Sequence, residues 1–262
     1  MIAQIALRVG EAWAVAAGLQ LALWGVQQRT RNAGIVDVGW ALSFALVIAL
    51  FAARAGEPVA GWAPLAVLVA AWSVRLGGYL IARGAARAPE DGRYADLRQR
   101  WAPRAAGRFF VFFQAQAALT AILSTAFVVP FVAAPWDGGG LRAIGAALAA
   151  TGILGEAVAD AHLARWRRTR PGEVCEIGLW RWSRHPNYFF EWCVWFGYAI
   201  HGLAFAPYGL IALFPQALLL CSILFVTGIP PTEKQSLRSK GDAFRAYQAR
   251  VSKFIPWPPK RS

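Results

Sequence analysis

The run Pro207-Tyr208-Gly209-Leu210-Ile211-Ala212-Leu213-Phe214-Pro215-Gln216-Ala217-Leu218-Leu219-Leu220-Cys221-Ser222-Ile223-Leu224-Phe225-Val226-Thr227 holds 21 residues without a single charge. About 20 apolar residues are what a helix needs to cross the hydrocarbon core of a bilayer. Six further apolar runs precede it, at 10–27, 38–54, 61–82, 108–132, 143–163 and 188–204. Breakers separate them, among them Asn32-Ala33-Gly34, Gly56-Glu57-Pro58, Ala102-Pro103, Pro171-Gly172 and Ala206-Pro207. Continuous apolar segments of this length are not barrel strands, which are shorter and alternate. The pattern predicts an all-α polytopic membrane protein. It has seven transmembrane helices in a single membrane-embedded domain over 1–262, with a tail at 228–262.

Composition agrees. Of 262 residues, 57% are hydrophobic, 13% aromatic and only 16% charged, against about 25% charged in ordinary soluble domains. A soluble enzyme, a nucleic-acid-binding module and a disordered chain are all poorly matched by these figures. The net charge of +13 therefore points first to basic cytoplasmic loops. Segments 27–37, 83–108, 164–187 and 228–262 together carry 23 of the 27 Lys and Arg residues. Arg8, Arg54 and Arg142 lie on the other side, and Arg75 lies within the third run. This asymmetry predicts an outside N-terminus and a cytoplasmic C-terminus. The N-terminal run lacks a basic leader and a cleavage site, so it reads as a retained helix. Cys175, Cys193 and Cys221 show neither metal-ligand nor disulfide spacing.

The basic segments are nearly all Arg, interleaved with aromatics: Arg93-Tyr94, Arg165-Trp166-Arg167-Arg168, Trp180-Arg181-Trp182 and Arg184-His185. A guanidinium grips phosphate bidentately and stacks on rings, which Lys does poorly. Two occupants fit such a face: phospholipid headgroups of the surrounding membrane, or a polyanionic nucleotide at the mouth of the bundle. Acidic residues at the span edges form a second group. Asp37, Glu156, Asp160 and Glu191 stand within or beside apolar runs, where ionisable groups are costly and usually serve function. Glu156 and Asp160, like Asn187 and Glu191, are four residues apart and share a helical face. Either interhelical pairing or a wet, cytoplasm-facing cavity accounts for them. No glycine-rich phosphate loop and no paired-histidine metal motif occurs in the sequence.

One segment is more specific: Gly178-Leu179-Trp180-Arg181-Trp182-Ser183-Arg184-His185-Pro186-Asn187-Tyr188-Phe189-Phe190-Glu191. Further pieces are Ile35-Val36-Asp37-Val38-Gly39-Trp40, Pro230-Pro231-Thr232-Glu233-Lys234, Phe244-x-x-Tyr247 and Phe254-Ile255-Pro256. Together they resemble the steroid 5-alpha-reductase-like family, in particular its bacterial DUF1295 branch of integral membrane proteins. That resemblance implies NADPH bound from the cytoplasmic side of a bacterial inner membrane. It also implies hydride transfer to the C=C bond of an α,β-unsaturated carbonyl lipid drawn from the bilayer. Asn187 and Glu191 match the family's cofactor-contacting Asn and Glu. Asp160 and the run from Arg170 to Glu173 match its adenosine-phosphate region, with Arg165 and Arg168 alongside. Arg184, His185, Tyr188, Glu233 and Tyr247 look similar to cofactor-side positions.

The sequence departs from the family where the ketone would be gripped. Val36-Asp37 stands in place of the expected Gln-Glu pair, and Trp72 in place of a third-span Tyr. Asp37 is then the candidate acid, because a carboxyl at the dry edge of a span can stay protonated and donate. Arg75 and Tyr79 are candidate second donors, and Trp40 and Trp72 candidate substrate contacts. The Arg-His-Pro turn is shared with integral-membrane methyltransferases of the isoprenylcysteine and phospholipid type, which use S-adenosylmethionine. That class, and a non-catalytic lipid-binding bundle, stay open as alternatives.

Overall fold

The computed structural model describes residues 1–55, 62–87, 89–137 and 139–260. The Gly56-Glu57-Pro58 break and the first residue of the 61–82 run lie outside them. Among the described residues the chain is helical, with no strand. Its helices are α1 (Ile2–Thr30), α2 (Ile35–Arg54), α3 (Ala63–Ala82), α4 (Gly92–Trp101), α5 (Ala105–Ser124), α6 (Gly140–Thr169), α7 (Pro186–Leu203), α8 (Leu213–Cys221) and α9 (Ile229–Arg250). Six helical stretches are long and apolar enough to cross a membrane: α1, α2, α3, α5, α6 and the continuous run Tyr208–Arg250. The uncharged part of that last run ends before Glu233; α9 beyond it carries Lys234, Arg238, Lys240, Arg245 and Arg250. α7, expected as a span over 188–204, is an 18-residue helix crowded with Trp, Phe and Tyr. It is not one of the six.

Two expected boundaries change. The 108–132 run is not one helix, because α5 ends at Ser124. There the Ser124 and Thr125 hydroxyls turn back on the carbonyls of Ala121 and Ile122, each at 2.7 Å. Pro130, which has no N–H to donate, then allows only a 3-10 turn over Val129–Phe131. Conversely, the basic segment 83–108 is not all loop, since it contains α4. Asp91 caps that helix by accepting from the Arg93 backbone N–H at 2.9 Å. Tyr94, Leu97 and Trp101 form its apolar side and pack on Phe109, Phe112 and Ala105 with their neighbours.

The chain divides into two compact units, Met1–Gly140 with Gly202–Ala212, and Leu141–His201 with Leu213–Ser262. In the first, α2 packs against α1, α3 and α5. Its contacts are tied by small polar groups. The Ser43 and Thr120 hydroxyls meet at 2.9 Å, and the Ser73 hydroxyl donates to the Ala41 carbonyl at 2.6 Å while accepting from the Ala45 N–H at 2.9 Å. Between lipid-like side chains these hydrogen bonds supply the specificity that apolar burial alone cannot. A ladder of rings fills the interior: Trp40 against Phe44, Phe44 against Trp72 and Phe127, and Phe51 against Phe127 and Phe131.

In the second unit α6 and α7 cross on glycines. A Cβ on Gly145 would lie 2.6 Å from the Gly197 carbonyl, and one on Gly197 would lie 2.6 Å from the Gly145 carbonyl. Backbones this close admit no side chain, which is the small-residue packing of membrane helices. A short 3-10 turn (Gly178–Arg181) leads into α7, and the extended tail after α9 returns to it. Ser183 and Ser252 form an isolated parallel bridge, and Phe254 packs its ring against Phe189 and Trp192.

Candidate functional site

Two clusters of chemistry-bearing side chains stand out, one in each unit. The first surrounds Asp37, in the opening turn of α2. Its Oδ1 accepts from the Tyr94 hydroxyl at 2.6 Å, and its Oδ2 lies 3.4 Å from the Arg93 guanidinium. Arg93 also donates from Nε to Asp91 at 3.0 Å. Burial, with the Asp37 carboxylate next to it, pushes the Tyr94 phenol well above its ordinary value. Tyr94 therefore stays protonated and able to donate at any physiological pH.

The loop that delivers Tyr94 is fastened independently. Glu90 accepts from the Ala33 N–H at 2.7 Å and from Arg98 at 2.7 and 3.0 Å, and Asn32 donates to the Arg87 carbonyl at 2.7 Å. The hydrogen bonds from Arg98 and Ala33 outweigh desolvation and hold Glu90 below the usual carboxylate range. Trp40 and Trp72, the candidate substrate contacts, meet edge to face with centroids 6.3 Å apart. The Trp40 indole N–H is buried and has no hydrogen-bond partner among the described residues. Arg75 and Tyr79 lie one turn apart on α3.

The second cluster gathers most of the predicted cofactor residues, and the structure separates them into two kinds. Arg184, His185, Glu233 and Tyr247 are occupied in holding the tail. Arg184 donates from Nε to Glu233 at 2.8 Å, and from Nη1 to the carbonyls of Gln248 and Val251 at 3.0 and 2.6 Å. Glu233 also faces His185 Nε2 at 3.1 Å and accepts from Gln248 at 2.8 Å. Hydrogen bonds from His185 and Arg184 overcome desolvation and bring the Glu233 carboxyl down to about 2. His185 is itself held below its usual value by burial, with Glu233 opposing. Tyr247 donates to the carbonyl of Trp180, and the Ser183 hydroxyl donates to that of Phe254 at 2.7 Å. Tyr188 stacks on the His185 ring and its hydroxyl sits 3.2 Å from that of Thr232.

The other kind is not engaged in this latch. Asn187, one residue into α7, has a buried side-chain oxygen with no hydrogen-bond partner among the described residues. Glu191, one turn on, is buried and accepts from the Trp195 indole at 2.8 Å. Asp160 and Glu156 are buried one turn apart on α6. Beyond them Arg165 and Arg168 are exposed on the last turns of α6, and Arg170 follows its end. Arg170 lies over the Trp166 ring and 3.5 Å from Glu173.

Two features escaped sequence reasoning. Tyr94 was visible only as a neighbour of Arg93, and its i, i+3 spacing to Leu97 inside a capped segment was the available sign of a helix. Gln248 carries no motif at all.

A search among curated proteins and another among solved structures each find no match. Residues 23–251, covering the Asp37 cluster, the Arg-His-Pro turn and all of α9, match the family described as protein of unknown function DUF1295, and the chain belongs to that family.

Proposed function

We propose that this protein is a seven-span membrane reductase that uses NADPH to saturate the C=C bond of an α,β-unsaturated carbonyl lipid. In this reading α7 is the sixth span in chain order, added to the six apolar stretches, its aromatic content suiting a helix packed among others. An odd number of spans, with the basic segments inside, sets the C-terminus in the cytoplasm of a bacterial cell. The observation that carries the proposal is the stranded buried oxygen of Asn187, one turn from Glu191 and in the same unit as the exposed Arg165, Arg168 and Arg170. A buried acceptor without a partner costs stability unless a ligand's N–H completes it.

These residues fit a pyridine dinucleotide. The Asn187 oxygen offers an acceptor to a carboxamide, and the arginines offer donors to the phosphates. When bound, the cofactor supplies hydride. The chain's own part is to hold a proton for the carbonyl oxygen, and the Asp37–Tyr94 pair suits it. Asp37 is the acid, and the Tyr94 hydroxyl, whose one proton is donated to Asp37 Oδ1, orients it. Trp40 and Trp72 offer an apolar wall to the lipid. Arg184, His185, Glu233 and Tyr247 we assign to building the turn rather than touching phosphate, since their hydrogen-bonding groups are already engaged.

The test is a thermal-shift series on detergent-purified protein with NADPH, NADH and S-adenosylmethionine, followed by NADPH oxidation with an enone lipid. Protection by NADPH with turnover supports the reading. Protection by S-adenosylmethionine alone replaces it with the methyltransferase reading, and protection by neither ligand rejects both.

A further inference from the structure

A groove of about 560 Å³ runs along α5 in the first unit, lined by Trp101, Arg104, Gly107, Arg108, Val111 and Ala115 with Phe112. It is independent of the reductase reading, because none of its residues belongs to the sites described above. Positions 104, 107, 108, 111 and 115 recur at three- and four-residue steps, so they line one helical face. The opposite face is taken by Phe109, Phe113 and Ala117, which are buried, and by Ala106 and Phe110, which meet Trp24 of α1.

The groove face changes character along its length. At the start of α5 it presents two exposed guanidiniums, Arg104 and Arg108, neither with a side-chain partner among the described residues. Within the span it presents only Val111, Phe112 and Ala115. Gly107 leaves the space between them open, since a Cβ there would meet nothing within 4 Å. Trp101 closes the charged end, packed on Phe109 and Phe112 with centroids 5.0 and 6.3 Å away. Two cations one turn apart, an interfacial indole and an open apolar strip continuing along a membrane-spanning helix form one amphipathic surface.

We propose that this groove is a binding site for an anionic glycerophospholipid, with its phosphate between Arg104 and Arg108 and an acyl chain lying along Val111 and Ala115. A free phosphate has no use for the apolar half. A zwitterionic lipid brings a cation of its own to the two guanidiniums. The charge pattern therefore selects the anionic lipid.

The test uses the full chain in detergent, with dioleoyl phosphatidylglycerol, dioleoyl phosphatidylcholine or inorganic phosphate added. Native mass spectrometry and thermal shift serve as readouts. Phosphatidylglycerol should be retained and should protect more than the other two. The Arg104→Ala/Arg108→Ala variant should weaken that retention by at least about tenfold, and Arg104→Lys/Arg108→Lys should do so less. Ala115→Trp, which fills the apolar half from an exposed position, should reduce retention while both arginines are present. Equal retention of the two lipids, or equal protection by inorganic phosphate, overturns the proposal. So does wild-type retention by the double alanine variant. These side chains are exposed, so each variant's melting temperature without lipid should match wild type, which keeps the comparison on binding.

Discussion

Replacing Glu233 by Gln tests whether the Arg-His-Pro turn is held by its latch. The carboxylate is 14% exposed at its side chain and Arg184 is 10% exposed, so screening by solvent is weak there. The Glu233 carboxylate receives three hydrogen bonds, from Arg184 and Gln248 at 2.8 Å each and from His185 at 3.1 Å, and its charge strengthens all three. In the Gln variant those that remain lose the acceptor's charge. A charged hydrogen bond contributes about 1.5–3 kcal/mol and a neutral one about 1. The glutamine keeps the shape and one acceptor, so a loss of about 2–3 kcal/mol is expected. For a chain of this size that corresponds to a melting temperature lower by about 5–10 °C.

Linkage gives a second reading of the same contact. The folded carboxyl titrates at about 2 against an ordinary 4.5. Its contribution is therefore complete above about 4.5 and is lost as the pH falls from there towards 2. Wild type should lose thermal stability across that window, and Glu233→Gln, with nothing to titrate at this position, should lose less. The assay is a melting curve of the detergent-solubilised protein followed by intrinsic tryptophan fluorescence at a series of pH values. A Gln variant that melts within about 2 °C of wild type at neutral pH, or that shows the same acid sensitivity, refutes the latch.

Other outcomes follow from the remaining geometry. Asp37→Ala should lower turnover of an enone lipid by about 100-fold or more while NADPH protection persists, as expected for a general acid, and Tyr94→Phe should lower it less, as expected for the hydroxyl that positions that acid. Undiminished turnover in both removes this pair from the chemistry. Arg170→Ala should weaken NADPH at least about tenfold and NADH much less, given the energy of a charged hydrogen bond to phosphate; equal losses would show that no 2′-phosphate is read there. Gly178→Ala should destabilise the protein measurably, since Gly178 has φ +54° and an added Cβ would fall 2.2 Å from the His162 ring. Reporter fusions after Lys260 and in the Gly139–Gly140 turn should report opposite compartments, and matching signals would refute the seven-span topology.

The sequence makes the apolar helices legible because membrane insertion is written in uninterrupted runs of side chains. The run from Pro207 needed no tertiary information to be read. Boundaries were harder where two rules competed. Residues 125–132 are as apolar as a helix, yet the hydroxyls of Ser124 and Thr125 and the ring of Pro130 end it. α4 was hidden for the opposite reason. Its charges resemble a topogenic loop, and only the Asp91 cap and the spacing of Tyr94, Leu97 and Trp101 distinguish it. Among the site residues, Asp37 was legible as a carboxyl at the edge of a span, whereas its partner Tyr94, 57 residues away, was not. Pairings at that separation depend on how loops fold back, which composition and periodicity do not encode.

The central motif illustrates why a recognised pattern does not say what each of its letters does. Ser183, Arg184 and His185 precede α7, and their polar groups point to the tail and to α9. The His185 carbonyl accepts the Phe189 N–H at 3.1 Å, so the histidine that faces Glu233 also caps the first turn of α7. Pro186 then occupies the position where its missing N–H costs nothing. Once that first turn is pinned, the 100° step of the helix fixes where Asn187 points, and Glu191 one turn later must share its face. The same short segment thus contains an anchor and the groups that the anchor aims. A substitution in the anchor acts on the Asn187–Glu191 face through its orientation, and one in that face leaves the anchor intact. Stability should therefore follow Arg184, His185 and Glu233, and ligand affinity should follow Asn187 and Glu191. Loss of both in Asn187→Ala would show that the two roles are not separable.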